Sequence, residues 1–390
     1  MTSRTARPDA GFSLPEMMIS MGIMLVILAG TFAAMTSAMK AEQTVNSITT
    51  VNNNLRSAMD LMVRDLLQVG QGMPLGRVIG IPNGGGATAI TRPGPLPAAA
   101  TPCPGVTTFP IQATMSAVTV GPGSGPPING VCTDVINTLA FDGAFDGVFV
   151  SSIAASGQSL TVYPYGPDKV VGNTDDVNIS DAPDVAGDNI RVGDLLSVVK
   201  GSTSALVAVT AVAGNTITFN PGDALGINQF DTALVMDGTV NKVKAQAPTD
   251  PNAQTVVGGV VTILAGQSTV SRVRMISYWV DPTTTPASPR LVRRIGSGAT
   301  NAVAFELEAF ALTYDIANGT TNPAHVRMVA ADLTTGGACT PLVCSPNQIR
   351  KVNATLAIRS DKKNASTGYY HNTLFTQVAL RNLAFVDRYE

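Results

Sequence analysis

Gly11-Phe12-Ser13-Leu14-Pro15-Glu16-Met17-Met18-Ile19-Ser20 opens the stretch that decides how this chain is built. From Met17 to Met39 no residue carries a formal charge, and Lys40 closes the run. At ~1.5 Å rise per residue, a helix of that length crosses a hydrocarbon core of ~30 Å. Ahead of it, residues 1–10 carry Arg4, Arg7 and one acid, Asp9. Positive charge before the run and a long polar remainder after it orient the N-terminus toward the cytoplasm. A secretory signal peptide would end a shorter apolar stretch at a small-x-small site followed by unrelated sequence. Here the run is longer and its helical pattern continues. Glu16 stands inside the apolar edge, where a carboxylate is costly and usually marks function.

Beyond Lys40 the apolar residues Ile48, Val51, Leu55, Met59, Met62, Leu66 and Val69 recur every three or four positions, one face of an α-helix. Asn52, Asn53, Arg56, Asp60, Arg64 and Asp65 are assigned to the other faces. Gly70, Gly72 and Pro74 end the pattern. One helix from Phe12 to Val69 is expected, roughly 85 Å long, with residues 17–39 in lipid and its second half against a globular head.

Gly11-Phe12-Ser13-Leu14-Pro15-Glu16, followed by a long uncharged run, resembles the class III signal of type IV pilins and pseudopilins. The resemblance implies a leader of residues 1–11, cut after Gly11 by a prepilin peptidase that also N-methylates Phe12. It makes Glu16, fifth in the mature chain, the family's assembly glutamate. Pro15 stands where many major pilins have Ile or Val, which favours a minor subunit; proline is tolerated in a first helical turn. The implied partners are the peptidase, other major and minor pilins and an inner-membrane assembly platform. The implied location is a single-pass inner-membrane anchor with a periplasmic head, and later the pilus or cell surface.

The rest of the chain, residues 73–390, reads as a mainly antiparallel β head, so the fold class is α+β. Residues 73–130 are rich in Gly and Pro and should form loops with short strands. Strand-like runs follow at 136–141, 147–153, 159–164, 195–200, 204–212, 215–219, 254–263, 270–280, 290–294, 306–314, 350–359 and 371–380. Residues 193–219 read as a three-stranded meander turning at Ala213-Gly214-Asn215. Alternation from Arg272 to Val280 predicts a half-buried strand. A β subdomain or insertion is expected at 130–265. The order of Tyr278-Trp279-Val280, Arg290 to Arg294, Phe305 to Tyr314, Gln348 to Val352 and Leu380 to Leu383 resembles the large PilW-type minor pilins.

Four cysteines, Cys103, Cys132, Cys339 and Cys344, allow three connectivities, and an exported head favours disulfides. Proximity favours Cys103–Cys132 and Cys339–Cys344; a metal would need tighter doublets. Asp168, Asp175 and Asp176, with Asp181, Asp184 and Asp188 after them, make an acidic turn-rich stretch whose oxygens suit Ca2+. The alternative is a solvated loop using Asp and Asn for its turns.

Composition narrows the function. Charged residues are 13%, against about 25% in globular proteins. The net charge of -2 lacks the basic surplus of a nucleic-acid protein. Only His325 and His371 are available for histidine chemistry, and neither a Gly-x-Ser-x-Gly motif nor a Gly-Lys phosphate loop occurs. The reading is therefore a structural subunit rather than an enzyme: a minor pilin acting in type IV pilus assembly, initiation or the filament tip. The alternative is a minor pseudopilin of a type II secretion system. A membrane-anchored enzyme or an adhesin ranks below both.

Overall fold

A computed structural model describes residues 13–73, 78–81, 114–143, 148–154, 157–163, 179, 190–200, 203–225, 227–228, 255–257, 260–262, 268–281, 288–363 and 368–384. The chain is α+β, with one long N-terminal helix, α1 (Leu14–Gln68), and a mainly antiparallel β head. It divides into two compact units, Met1–Asn53 with Ser360–Tyr370, and Asn54–Arg359 with His371–Glu390.

In the first unit every large apolar side chain from Leu14 to Met39 is exposed, even the most shielded, Leu28, at 47%. An unbroken apolar surface of this size calls for lipid or protein around it. The Ser360 N–H donates to the Tyr370 carbonyl at 2.8 Å.

In the second unit the last turns of α1 bury Leu55, Met59, Met62 and Leu66, and Val69 just beyond them, as their spacing predicts; Ala58 is buried too. Asp65, assigned from sequence to a polar face, is buried with them. The helix stops where Gly70 takes a φ of +74°. A side chain there would also collide with Leu383, whose Cδ2 lies 2.6 Å from the position of a Cβ. Gly70 N–H donates to the Leu139 carbonyl at 2.8 Å, and Asn382 Nδ2 donates to the carbonyls of Leu67 and Val69. The two Asn382 bonds occupy carbonyls that a helix end leaves without partners.

The strands in order are β1 (Val78–Gly80), β2 (Thr114–Ser116), β3 (Val118–Gly121), β4 (Pro127–Ile128), β5 (Val131–Cys132), β6 (Val135–Phe141), β7 (Val148–Ile153), β8 (Ser159–Val162), β9 (Leu195–Lys200) and β10 (Thr203–Ala208). Then come β11 (Ala211–Ala213), β12 (Thr216–Thr218), β13 (Thr255–Val257), β14 (Val260–Thr262), β15 (Thr269–Asp281), β16 (Arg290–Ile295), β17 (Asn301–Ala304), β18 (Leu307–Ile316), β19 (Ile349–Arg359) and β20 (His371–Ala379). The helices α2 (Ala330–Thr334) and α3 (Arg381–Ala384) are short.

The long strand β15 organises the head. Thr269 to Val273 pair with β9, Val273 to Tyr278 with β6, and Ile276 to Asp281 with β16. Its start also meets β7. With neighbours on both edges it is a central strand, and Met275 to Val280 are buried on both faces. The half-buried alternation expected from Arg272 to Val280 holds from Arg272 to Met275 and is corrected beyond it. The expected meander at 193–219 is corrected too. β10 returns on β9, while β11 and β12 form a second hairpin joined to β8. The strand expected over 204–212 breaks at Val209 and Thr210, whose N–H groups donate to Asp194 and Thr218 carbonyls instead. Strands β18, β19 and β20 form a separate antiparallel sheet.

Candidate functional site

The candidate site begins at the first turn of α1. Ser13, Leu14, Pro15 and Glu16 have the spacing of a capping box, a serine with a glutamate three residues on. Glu16 Oε2 accepts the Ser13 N–H at 3.0 Å and the Ser13 hydroxyl at 2.8 Å. A carboxylate in this place also meets the positive end of the helix dipole. Glu16 therefore fastens the helix start, and Ser13 is the partner that sequence reasoning missed; the Ser-x-x-Glu spacing was the available signal. Gly11 and Phe12, the expected cleavage and methylation residues, lie outside the described residues.

The apolar run behind Glu16 keeps its backbone hydrogen bonds inside one helix. Ser20, Thr31, Thr36 and Ser37 turn their hydroxyls back onto carbonyls three or four residues earlier. Polar side chains satisfied in this way are compatible with lipid or with an apolar packing partner. The helix is long and apolar enough to cross a membrane, with a mean hydropathy of 2.2 over its best window. This is consistent with a single-pass inner-membrane anchor.

At the other end of α1, Asp65 accepts from Arg293 of β16 through two parallel bonds, Nε to Oδ2 at 2.6 Å and Nη2 to Oδ1 at 2.9 Å. The Tyr278 hydroxyl of β15 donates to the same Oδ2. Hydrogen bonding to Asp65 raises Arg293 above its ordinary pKa. Burial, then Asp65, push the Tyr278 phenol well above its own. Both donors keep their protons at neutral pH, and the triad clamps the helix to the sheet.

Cys339 and Cys344 are bonded, with Cα atoms 5.3 Å apart. Their loop is organised by the buried Asp332, which accepts the N–H groups of Val329 and Ala338 on its carboxylate and that of Cys344 on its carbonyl. Cys132 is also disulfide-bonded; its expected partner, Cys103, lies outside the described residues. The proposed calcium ligands Asp168, Asp175 and Asp176, and the nearby Asp181, Asp184 and Asp188, lie outside them as well. Among the described residues no three His, Cys, Asp or Glu gather as a metal site. His371 is exposed and meets Glu308 at 2.8 Å, and the backbone N–H of His325 donates to Asp315.

A model of the prokaryotic N-terminal methylation motif matches residues 6–32. The match spans the Gly11-Phe12 junction, Glu16 and the apolar run as far as Phe32. It supports a type IV pilin-like protein and points to a structural role. The motif implies processing by a prepilin peptidase and assembly with other pilins. Comparison with curated proteins and with solved structures returns no match.

Proposed function

We propose that this chain is a minor pilin of the PilW type, a structural subunit that takes part in initiating a type IV pilus or in forming its tip. The observation that carries the reading is the methylation motif at the head of a single unbroken helix. Apolar side chains are exposed along the helix's membrane half and buried along its last turns.

In this reading residues 1–11 are removed and Phe12 becomes a methylated N-terminus. The apolar surface from Leu14 to Met39 first sits in lipid and then packs against the helices of neighbouring subunits. Glu16 supports both states. It caps its own helix, and in a filament its charge can pair with an N-terminal amine, offsetting the cost of a lone charge among apolar helices. Pro15 and the size of the head favour a subunit placed at few positions over one repeated along the fibre.

The test is fractionation. Filaments sheared from cells and separated from membranes should carry the chain at low stoichiometry, and its deletion should reduce the number of filaments. A chain that remains in the membrane fraction while its deletion leaves filament number unchanged would exclude the pilus role.

A further inference from the structure

Five neighbouring polar side chains on one face of the head's central sheet hold buried atoms with no hydrogen-bond partner among the described residues. Thr119 of β3 stands opposite Asn137 of β6, Asn137 opposite Ser277 of β15, and Ser277 opposite Arg294 of β16. Directly opposed residues of an antiparallel pair share a face, with Cβ atoms ~4.5–5.5 Å apart. The four residues therefore form one row across four strands. Trp279, two positions beyond Ser277, points the same way. Tyr278 and Arg293 occupy the opposite face, where they clamp Asp65. The row is thus on the side of the sheet away from that clamp.

Thr119, Asn137, Ser277 and Trp279 are each at most 3% exposed. The atoms left without partners are Thr119 Oγ1, Asn137 Oδ1, Ser277 Oγ, Trp279 Nε1, and Nε and Nη2 of Arg294. Native proteins satisfy nearly all such atoms, so a cluster of them calls for something that fills it. The Arg294 guanidinium lies 5.5 Å from the centre of the Trp279 ring, stacked where the indole face favours a cation. Its charge has no carboxylate beside it among the described residues. Asp281, on the same face, is engaged by Arg290 at 3.0 Å. Burial also weakens the hold of Arg294 on its proton, as expected for a cation lacking a counter-charge.

We propose that the Arg294 end of this row, with Trp279 and Ser277, is an internal binding site for one small monovalent anion, of chloride or formate size. The chemistry of the unpartnered atoms suits an anion better than water. Two guanidinium N–H groups, an indole N–H and the Ser277 hydroxyl all donate, and only the anion neutralises Arg294. The one pure acceptor, Asn137 Oδ1, lies on the far side of Ser277 from the guanidinium. Burial of Ser277 and Trp279 excludes a large anion. The ion would join β15 to β16 behind the strand that carries Tyr278, bracing the sheet that grips α1.

The site is tested on the full processed chain in detergent, by thermal melting in potassium chloride against potassium gluconate at equal ionic strength. Gluconate is too large to enter. The expected result is a melting temperature several degrees higher in chloride, because a ligand that binds only the folded state stabilises it. Chloride-35 magnetic resonance should show line broadening that saturates with protein. Arg294→Met keeps an apolar stem over Trp279 and should abolish both effects. Ser277→Ala, which removes one donor and keeps the charge, should weaken them, and it serves if the Met variant does not fold. Equal melting in the two salts without chloride broadening would overturn the proposal, as would a chloride effect that survives both substitutions.

Discussion

Asp65 and Arg293 are 228 positions apart in sequence and meet through two parallel hydrogen bonds, 2.6 and 2.9 Å long. Both side chains are largely shielded, at 8% and 17% exposure, so the pair is weakly screened. Removing one member leaves the other charged and buried. Asp65→Leu should therefore cost about 3 kcal/mol of head stability, the low end for a broken buried pair. Arg293→Met should cost a similar amount. The double variant Asp65→Leu with Arg293→Met should recover much of the loss, since no unpaired charge remains. Denaturant melts of the four proteins decide this; additive losses in the double variant would show that the pair acts only through packing.

The clamp also shows how far the sequence could be read. Buried positions 58, 62, 65 and 69 are four, three and four apart, so Asp65 lies in the centre of the apolar stripe. A carboxylate there needs a buried cation, and the run Arg290 to Arg294 on a predicted strand was the available source. Read as a polar surface residue, Asp65 lost its meaning. The helix itself was legible almost to the residue, because the periodicity and the Gly70 stop are local signals. Strand existence was legible for the same reason: β9, β15, β16 and β19 fall within a residue or two of their expected ends. Strand partners were not. Alternation specifies which residues are extended, but not that β11 and β12 would leave β10 to join β8. Nor does it specify that β15 would be covered on both faces.

Asp315 sets the acid side of head stability. Burial alone would raise its carboxyl, but the His325 N–H, the Asn353 amide and the Lys351 ammonium outweigh burial and hold it below the ordinary carboxylate range. Its stabilising effect is thus complete above the unfolded value near ~3.9 and is lost as pH falls through the lower, folded value. Asp315→Asn should flatten the fall of melting temperature below about pH 4. An unchanged acid slope would remove Asp315 from the account.

The Cys339–Cys344 bond closes a short loop and should contribute about 2 kcal/mol on the chain-entropy model. Cys339→Ser with Cys344→Ser should lower the melting temperature modestly and leave the head folded, because Asp332 still ties Val329, Ala338 and Cys344 together. Loss of the fold on reduction would mean that Asp332 does not organise the loop.

Ser13 and Glu16 separate capping from assembly. Ser13→Ala removes the partner of Glu16 and keeps the charge; Glu16→Gln keeps an acceptor and removes the charge; Glu16→Leu removes both. If pairing with an N-terminal amine drives docking, the Leu variant should insert in the membrane and be cleaved, yet fail to enter filaments, while Ser13→Ala assembles. If Glu16 is only a cap, the Gln variant should assemble nearly as well as the native chain. Incorporation of Glu16→Leu at native levels would rule out the pairing role.

The most direct measurement is the intact mass of the chain after co-expression with an active prepilin peptidase. The pilin-like reading predicts loss of residues 1–11 and a new N-terminus at Phe12 carrying one added methyl group, with a large residue at position 11 blocking both changes. A chain that keeps its first eleven residues in the presence of the active enzyme, or one cut at any other bond, would contradict it.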